Sequence, residues 1–211
     1  MKKPQFYDEV QGNTGDFVSL QPGAYVCTIK KALFAKAQQS QNDMLVLLLD
    51  IAEGECKDYF QNRFDKDERT DKKWGCVLRV VLDDESKSVD ERKQMAKNVK
   101  STIESIEASN LGFKFDWDAP EKANGKLVGA LFGLEEYTAN DGKTKTISKV
   151  RRARSVNAVK TKNLQIPAVK LLDKTYMEYD EYLDKKFDSE SQATEVKGDF
   201  ITIESDEELP F

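Results

Sequence analysis

At 211 residues, with 39% hydrophobic and 34% charged side chains, the chain has the size of one ordinary domain plus appendages, with a polar surface around a modest core. Its longest apolar run, Met44 to Leu49, is far short of the roughly 20 residues of a membrane span, and the basic start Met1–Asp8 lacks the apolar stretch of a signal peptide. Histidine is absent, which removes Ser-His and Cys-His nucleophiles, histidine acid–base chemistry and most zinc sites; Cys27, Cys56 and Cys76 are odd in number, show no metal-like spacing and suit a reducing cytoplasm.

Residues 1–16 are polar and turn-rich and read as an arm. Phe17 to Leu33 reads as strand, interrupted by the turn Gln21-Pro22-Gly23, and a polar loop over Ala35–Asp43 leads to a second strand, Met44 to Ile51. The near-continuous apolar character of that second strand predicts burial on both faces or packing under another element. A long charged connection, Glu53 to Lys73, precedes a third strand over Trp74–Leu82. A helix follows, with Ser86 or Ser88 as cap, Val89, Ala96, Val99, Ile103 and Ile106 at helical spacing, and Ser109–Gly112 as stop. Beyond the aromatic segment Phe113–Asp118, Lys126–Tyr137 and Lys143–Val156 form a hairpin around an Asp141-Gly142 turn, with Phe132 and Leu134 as core residues. The order strand, strand, strand, helix, strand, strand is that of the OB-fold, a mainly β, five-stranded barrel with one helix between strands three and four, used widely for single-stranded nucleic acid. The expected organisation is therefore an arm (1–16), an OB-fold domain (17–160), an extension (161–187) and a flexible acidic tail (188–211).

Charge divides along the same lines. From Glu178 to Phe211 there are 12 acidic and 3 basic residues, a net of −9, whereas the remainder carries 30 basic and 26 acidic residues, a net of +4, which together make the −5 of the whole chain. A mildly basic body joined to a strongly acidic tail suits a protein whose body binds polyanions. The most basic stretch, Lys143 to Lys162, holds Lys143, Lys145, Lys149, Arg151, Arg152, Arg154, Lys160 and Lys162 with no acidic residue, enough to follow a sugar–phosphate backbone. Ile147 and Val150 lie on opposite parities there, so a bulge that re-aims the arginines is expected. In the connection between strands two and three, Lys57, Tyr59, Phe60, Arg63, Phe64, Lys66, Arg69, Lys72, Lys73 and Trp74 interleave rings with cations, the pattern of a sequence-tolerant single-strand binder, although acidic residues share the stretch. Tyr59 and Trp74, with Phe34 beside Lys36 at the first loop, are the stacking candidates. A different chemistry is also open: Asp50, Glu53, Glu55 and Lys57 end in Glu-x-Lys, reminiscent of a Mg²⁺-dependent nuclease core, with Asp116 and Asp118 as a further acidic pair.

The chain's last residues, Asp206-Glu207-Glu208-Leu209-Pro210-Phe211, combine carboxylates, an apolar residue, a rigid proline and an aromatic ring. Such a peptide suits capture by a partner, with Phe211 in an apolar pocket and the acids on a basic rim. The segment resembles the tips of bacterial and phage single-stranded-DNA-binding proteins, and Asp50–Glu55, Gly125–Gly129 and Glu135–Tyr137 look like stretches of uncharacterised phage and mobile-element proteins. The resemblance implies a cytoplasmic, non-enzymatic protein without metal or cofactor. It would coat single-stranded DNA in phage or mobile-element replication and recombination, and its tip would recruit replication or recombination proteins. The long connection from the helix back to the barrel and the apolar content of the extension (Leu171, Leu172, Tyr176, Tyr179, Tyr182) depart from typical members, so a homo-oligomer is allowed without the usual tetramer being implied. A protein-interaction module without DNA binding, and a metal-dependent nuclease, are the alternatives.

Overall fold

A computed structural model describes the backbone of residues 19–195 and the side chains of residues 19–187. The elements are β1 (Gly23–Lys36), β2 (Asp43–Ile51), α1 (Tyr59–Asp65), β3 (Val77–Val81), α2 (Val89–Ser109), a 3₁₀ turn (Pro120–Ala123), β4 (Leu127–Thr138), β5 (Thr144–Arg154), α3 (Val156–Thr161), β6 (Val169–Lys170), β7 (Tyr176–Met177) and α4 (Tyr179–Glu195).

The sheet is built around β1, whose first half pairs antiparallel with β4 (Gly23↔Phe132 to Thr28↔Leu127) and whose second half pairs antiparallel with β2. A bulge between Ile29 and Lys31 lies just past the β4-paired segment and inside the β2 pairing, which runs from Cys27 to Lys36. Beyond it the Asn124 side chain takes over the vacated edge, accepting from the Ala32 N–H at 2.8 Å. β3 adds to β2 and β5 adds to β4, both antiparallel. The neighbour order β3-β2-β1-β4 continues to β6 and β7, with β5 on the other side of β4, making a mainly β, seven-stranded sheet with four α-helices among the described residues. The sheet is open: no ladder joins β3 to β5 among the described residues. That differs from the closed five-stranded barrel expected from the element order. β3 is only five residues long, and α2 lies against both strands where they would meet.

Patterning explains the core. Leu45, Leu47, Leu49 and Ile51 alternate along β2 and are fully buried, facing Cys27, Ile29, Leu78, Val128 and Phe132 in one cluster. α2 begins with a capping box, in which the Ser88 side chain accepts from the Glu91 N–H and Glu91 accepts from the Ser88 N–H; Val99, Thr102, Ile103 and Ile106 form its buried face. Val89 is instead exposed, because it is the first helical residue and lies outside that stripe. Asn110 clamps the end of α2 to the start of β4, accepting from the Leu127 N–H at 3.0 Å and donating to the Leu127 carbonyl at 2.8 Å.

The charged connection after β2 contains α1, an element that its mixed composition conceals. The helix is anchored from β2: Asp50, only 2% exposed, accepts from the backbone N–H groups of Ile51 and Phe60 at 3.0 Å and Gln61 at 3.3 Å. Burial pushes the Asp50 carboxyl above its ordinary range, against the pull of those donors. This accounts for the apolar-looking β2: its inner face packs the core and Asp50 on its other face is roofed by α1.

The extension joins the same sheet. β6 runs parallel to β4 at Glu135↔Lys170, where β1 has already left that edge, and Val169 is fully buried. Two glycines permit this close layer. A Cβ on Gly129 would lie 2.5 Å from Val159 of α3 and 2.8 Å from the Arg154 carbonyl, and one on Gly133 would lie 3.0 Å from Pro167. α4 carries helical backbone to Glu195, past the start expected for an irregular tail at 188; acidic residues in its first turn and a Glu181–Lys185 pair favour the helix. Gly129→Ala is expected to lower stability by about 1–3 kcal/mol, read as a reduced urea midpoint with an unchanged m-value, since two of the three clashing atoms are backbone.

Candidate nucleic-acid interface

β1 is antiparallel to β2 and β4, β3 is antiparallel to β2 and β5 is antiparallel to β4, so β3 and β5 run in the same direction on either side of the opening. The seam between them is lined by two recesses in sequence. At its far end a cleft of about 810 Å³ is bounded by Leu78–Val81 of β3, the polar face of α2 and Arg151–Arg154 of β5. Its charged lining is Arg79, Lys97, Arg151, Arg152 and Arg154, and no carboxylate is among the described residues that line it. Arg79, Lys97 and Arg152 are exposed and have no carboxylate partner among the described residues. Cations on both walls, with no carboxylate among the described lining residues, favour a polyanion there.

The arginine run is aimed by the register of β5. Leu131 pairs with Arg152 but Phe132 pairs with Val150, so Arg151 is the extra residue of a bulge, as the broken alternation of Ile147 and Val150 predicts. The bulge puts Val150 and Ala153 toward the core. It also divides the cations. Arg151 and Lys149 turn to Glu135 at 3.4 and 3.3 Å, and Lys170 joins it at 3.2 Å, whereas Arg152 meets no carboxylate among the described residues and Arg154 caps the Ala153 carbonyl at 2.9 Å. Burial disfavours the charged form of Glu135, but the hydrogen bond from Lys170 and the charge of Lys149 outweigh it and hold the carboxyl below its ordinary range. Arg151 also donates to the Leu134 carbonyl at 3.2 Å, while its Nε is buried without a hydrogen-bond partner.

At the near end of the seam a groove of about 360 Å³ lies between α1 with its following loop and the β4–β5 hairpin, and includes Tyr59, Arg63, Phe64, Arg69, Lys73, Tyr137 and Ile147. The chain matches no known protein-family model, and no curated protein is similar to it.

The predicted site residues are distributed unevenly over this geometry. Arg151, Arg152 and Arg154 come together with Arg79 and Lys97 in the cleft, and Tyr59 reaches the groove. Trp74 lines neither recess: its Nε1 donates to the Leu49 carbonyl at 2.8 Å and its ring packs on Phe64 at 5.5 Å, tying the connection to the core. Phe34 and Lys36 lie at the β1–β2 hairpin, outside both recesses, where Phe34 stacks on Trp117 at 5.9 Å and Lys36 pairs with Asp43 at 3.2 Å. Lys143 is exposed in the hairpin turn and Lys145 pairs with Asp141 at 3.0 Å. The tip residues Asp206, Glu207, Glu208, Leu209, Pro210 and Phe211 lie outside the described residues. Arg79, Lys97 and Tyr137 escape a reading of local clusters. Arg79 alone carried a usable signal, the single cation between the inward-facing Leu78 and Val80.

The nuclease-like carboxylates are occupied differently. Asp50 serves the α1 backbone, and Glu53 pairs with Lys160 of α3 at 2.8 Å. Among the described residues no cluster of three or more Cys, Asp or Glu is placed to hold a metal ion, and no helix is long and apolar enough to cross a membrane. Cys27 and Cys76 are buried; desolvation, with the Asp50 charge second, pushes the Cys27 thiol up to about 12 and keeps it protonated.

The Glu135 cluster makes a pH prediction. Its lowered pKa means that it stabilises the fold above the ordinary glutamate range and that this contribution is lost as pH falls below about 4.3 and through the lowered value. Glu135→Gln should therefore unfold at lower urea than the parent chain at pH 7, and the gap should narrow toward acid pH in paired titrations.

Proposed function

We propose that the chain is a single-stranded-DNA-binding protein of the OB type that grips the strand along the seam between β3 and β5. The observation that carries this reading is the carboxylate-free cleft in which Arg79, Lys97, Arg151, Arg152 and Arg154 converge from three elements. The order β3-β2-β1-β4-β5, with α2 joining β3 to β4, supports it as the strand order of an OB barrel left open at one seam. The resemblance of the Asp206–Phe211 tip to those of single-stranded-DNA-binding proteins supports it independently.

No covalent step is involved. The cleft neutralises phosphates and releases their counterions, and the acidic tip recruits replication or recombination proteins without contributing to the grip. The setting is phage or mobile-element DNA metabolism in the cytoplasm.

Fluorescence anisotropy of labelled oligonucleotides tests this. If Arg79, Lys97 and Arg152 each meet a phosphate, log K should fall with log salt at a slope of about −2, from about −0.7 per contact on a single strand. Arg152→Ala should weaken binding and make that slope shallower by about 0.7. Salt-independent binding, or equal affinity for duplex, would reject the proposal. A 1–205 truncation should bind DNA with unchanged or modestly higher affinity while losing partner proteins in pull-down.

A further inference from the structure

Resting on that reading, we propose that the groove at the α1 end of the seam is a base-stacking subsite for unpaired nucleotides, with Tyr137 and Ile147 as its platform. The positive cleft alone does not distinguish single strands from duplex, because both present phosphates. A preference for single strands needs apolar faces that only unpaired bases can reach. The groove offers them. Tyr137 is 41% exposed and Ile147 36% exposed, whereas Leu131 and Phe132 of the same hairpin are buried and Leu134 is half-buried. Tyr137 pairs with Lys145 and Glu135 pairs with Ile147, so Tyr137 and Ile147 are diagonal neighbours on one face of the hairpin.

The opposite wall adds a second ring with its own cation. The Arg63 guanidinium lies 5.6 Å from the centre of the Tyr59 ring and donates to the Tyr59 hydroxyl at 3.2 Å. Charge is complementary to a nucleotide strand. Arg63, Arg69 and Lys73 line the groove, and the one carboxylate among its described lining residues, Asp67, is already held by Arg69 at 2.6 Å. That pairing holds the Asp67 carboxyl well below its ordinary range, so it does not titrate near neutral pH.

The groove also lies in line with the cleft. Just before β3 it takes Gly75 where the cleft takes Leu78–Val81 of that strand, and along β5 it takes Thr146–Ser148 where the cleft takes Arg151–Arg154. Because the two strands run in the same direction, a chain of nucleotides following the seam passes from the rings to the arginines.

The test uses the full chain with a fluorescein-labelled oligo-dT strand and a duplex hairpin of equal charge, titrated at two salt concentrations. Tyr137→Ala should weaken oligo-dT binding about fivefold or more, the loss of one base–aromatic stack, with the salt slope and the duplex affinity unchanged. Tyr137→Phe should bind like the parent chain, because the ring and not the hydroxyl is used. Ile147→Ser gives a second, independent disturbance of the same platform, and circular dichroism verifies that each variant is folded. If Arg152→Ala weakens binding while Tyr137→Ala and Ile147→Ser do not, the subsite is wrong and the cleft reading stands. A Tyr137→Ala loss equal for strand and duplex would also overturn it. If the parent chain binds neither oligonucleotide but captures a protein that Tyr137→Ala releases, the groove is a protein-docking site and both readings fall.

Discussion

The bend in β1 is the constraint on which the rest of this molecule depends. One strand of 14 residues serves two partners, β4 over Gly23–Thr28 and β2 over Cys27–Lys36, and the bulge between Ile29 and Lys31 follows just after the two overlap. Because β1 leaves β4 at Gly23↔Phe132, the later part of β4 has a free edge, and β6 occupies it. Because β1 turns toward β2, the two wings of the sheet curl toward each other and bring β3 to face β5. No ladder spans the opening between them among the described residues, and α2 lies against both strands. A hydrogen-bonded closure there would bury the backbone edges of both strands; the open seam instead leaves a recess whose walls are side chains.

A second bulge, at Arg151, decides what those walls carry. Regular alternation from Lys145 onward would have put Arg151 and Ala153 on one face and Arg152 and Arg154 on the other. The extra residue keeps Val150 and Ala153 in the core and hands Lys149 and Arg151 to Glu135. Part of the basic run is thereby spent on holding the extension against β4, through the carboxylate that also binds Lys170. What remains free, Arg152 with Arg79 and Lys97, is a smaller set than the eight cations counted along the sequence from Lys143 to Lys162, but it is concentrated in one place and faces no acid among the described residues that line it.

Much of the architecture was legible in the residues. The three first strands, a serine cap at Ser86 or Ser88, the stop at Ser109–Gly112 and the Asp141-Gly142 hairpin all follow from local chemistry, because capping, turn geometry and alternation are short-range. The helix α1 was not legible: seven residues with mixed charges lack a helical stripe, and what secures them is Asp50, a residue on the preceding strand. The aromatic candidates separate for the same reason. Trp74 and Tyr59 look alike in sequence, yet a carbonyl of β2 claims the indole N–H, while Tyr59 borders open space.

By itself the sequence determined the mainly β class, the order of the principal elements, the division into a basic body and an acidic end, and the break in the alternation of β5. These properties are carried by residue type and spacing along the chain. Only the tertiary structure decided that the sheet stays open, that the extension becomes part of it, and which cations are free. Those outcomes depend on which distant carboxylate each cation meets. Arg79, Lys97 and Arg152 come from three separate elements, and only the curl of the sheet about β1 puts them on one seam.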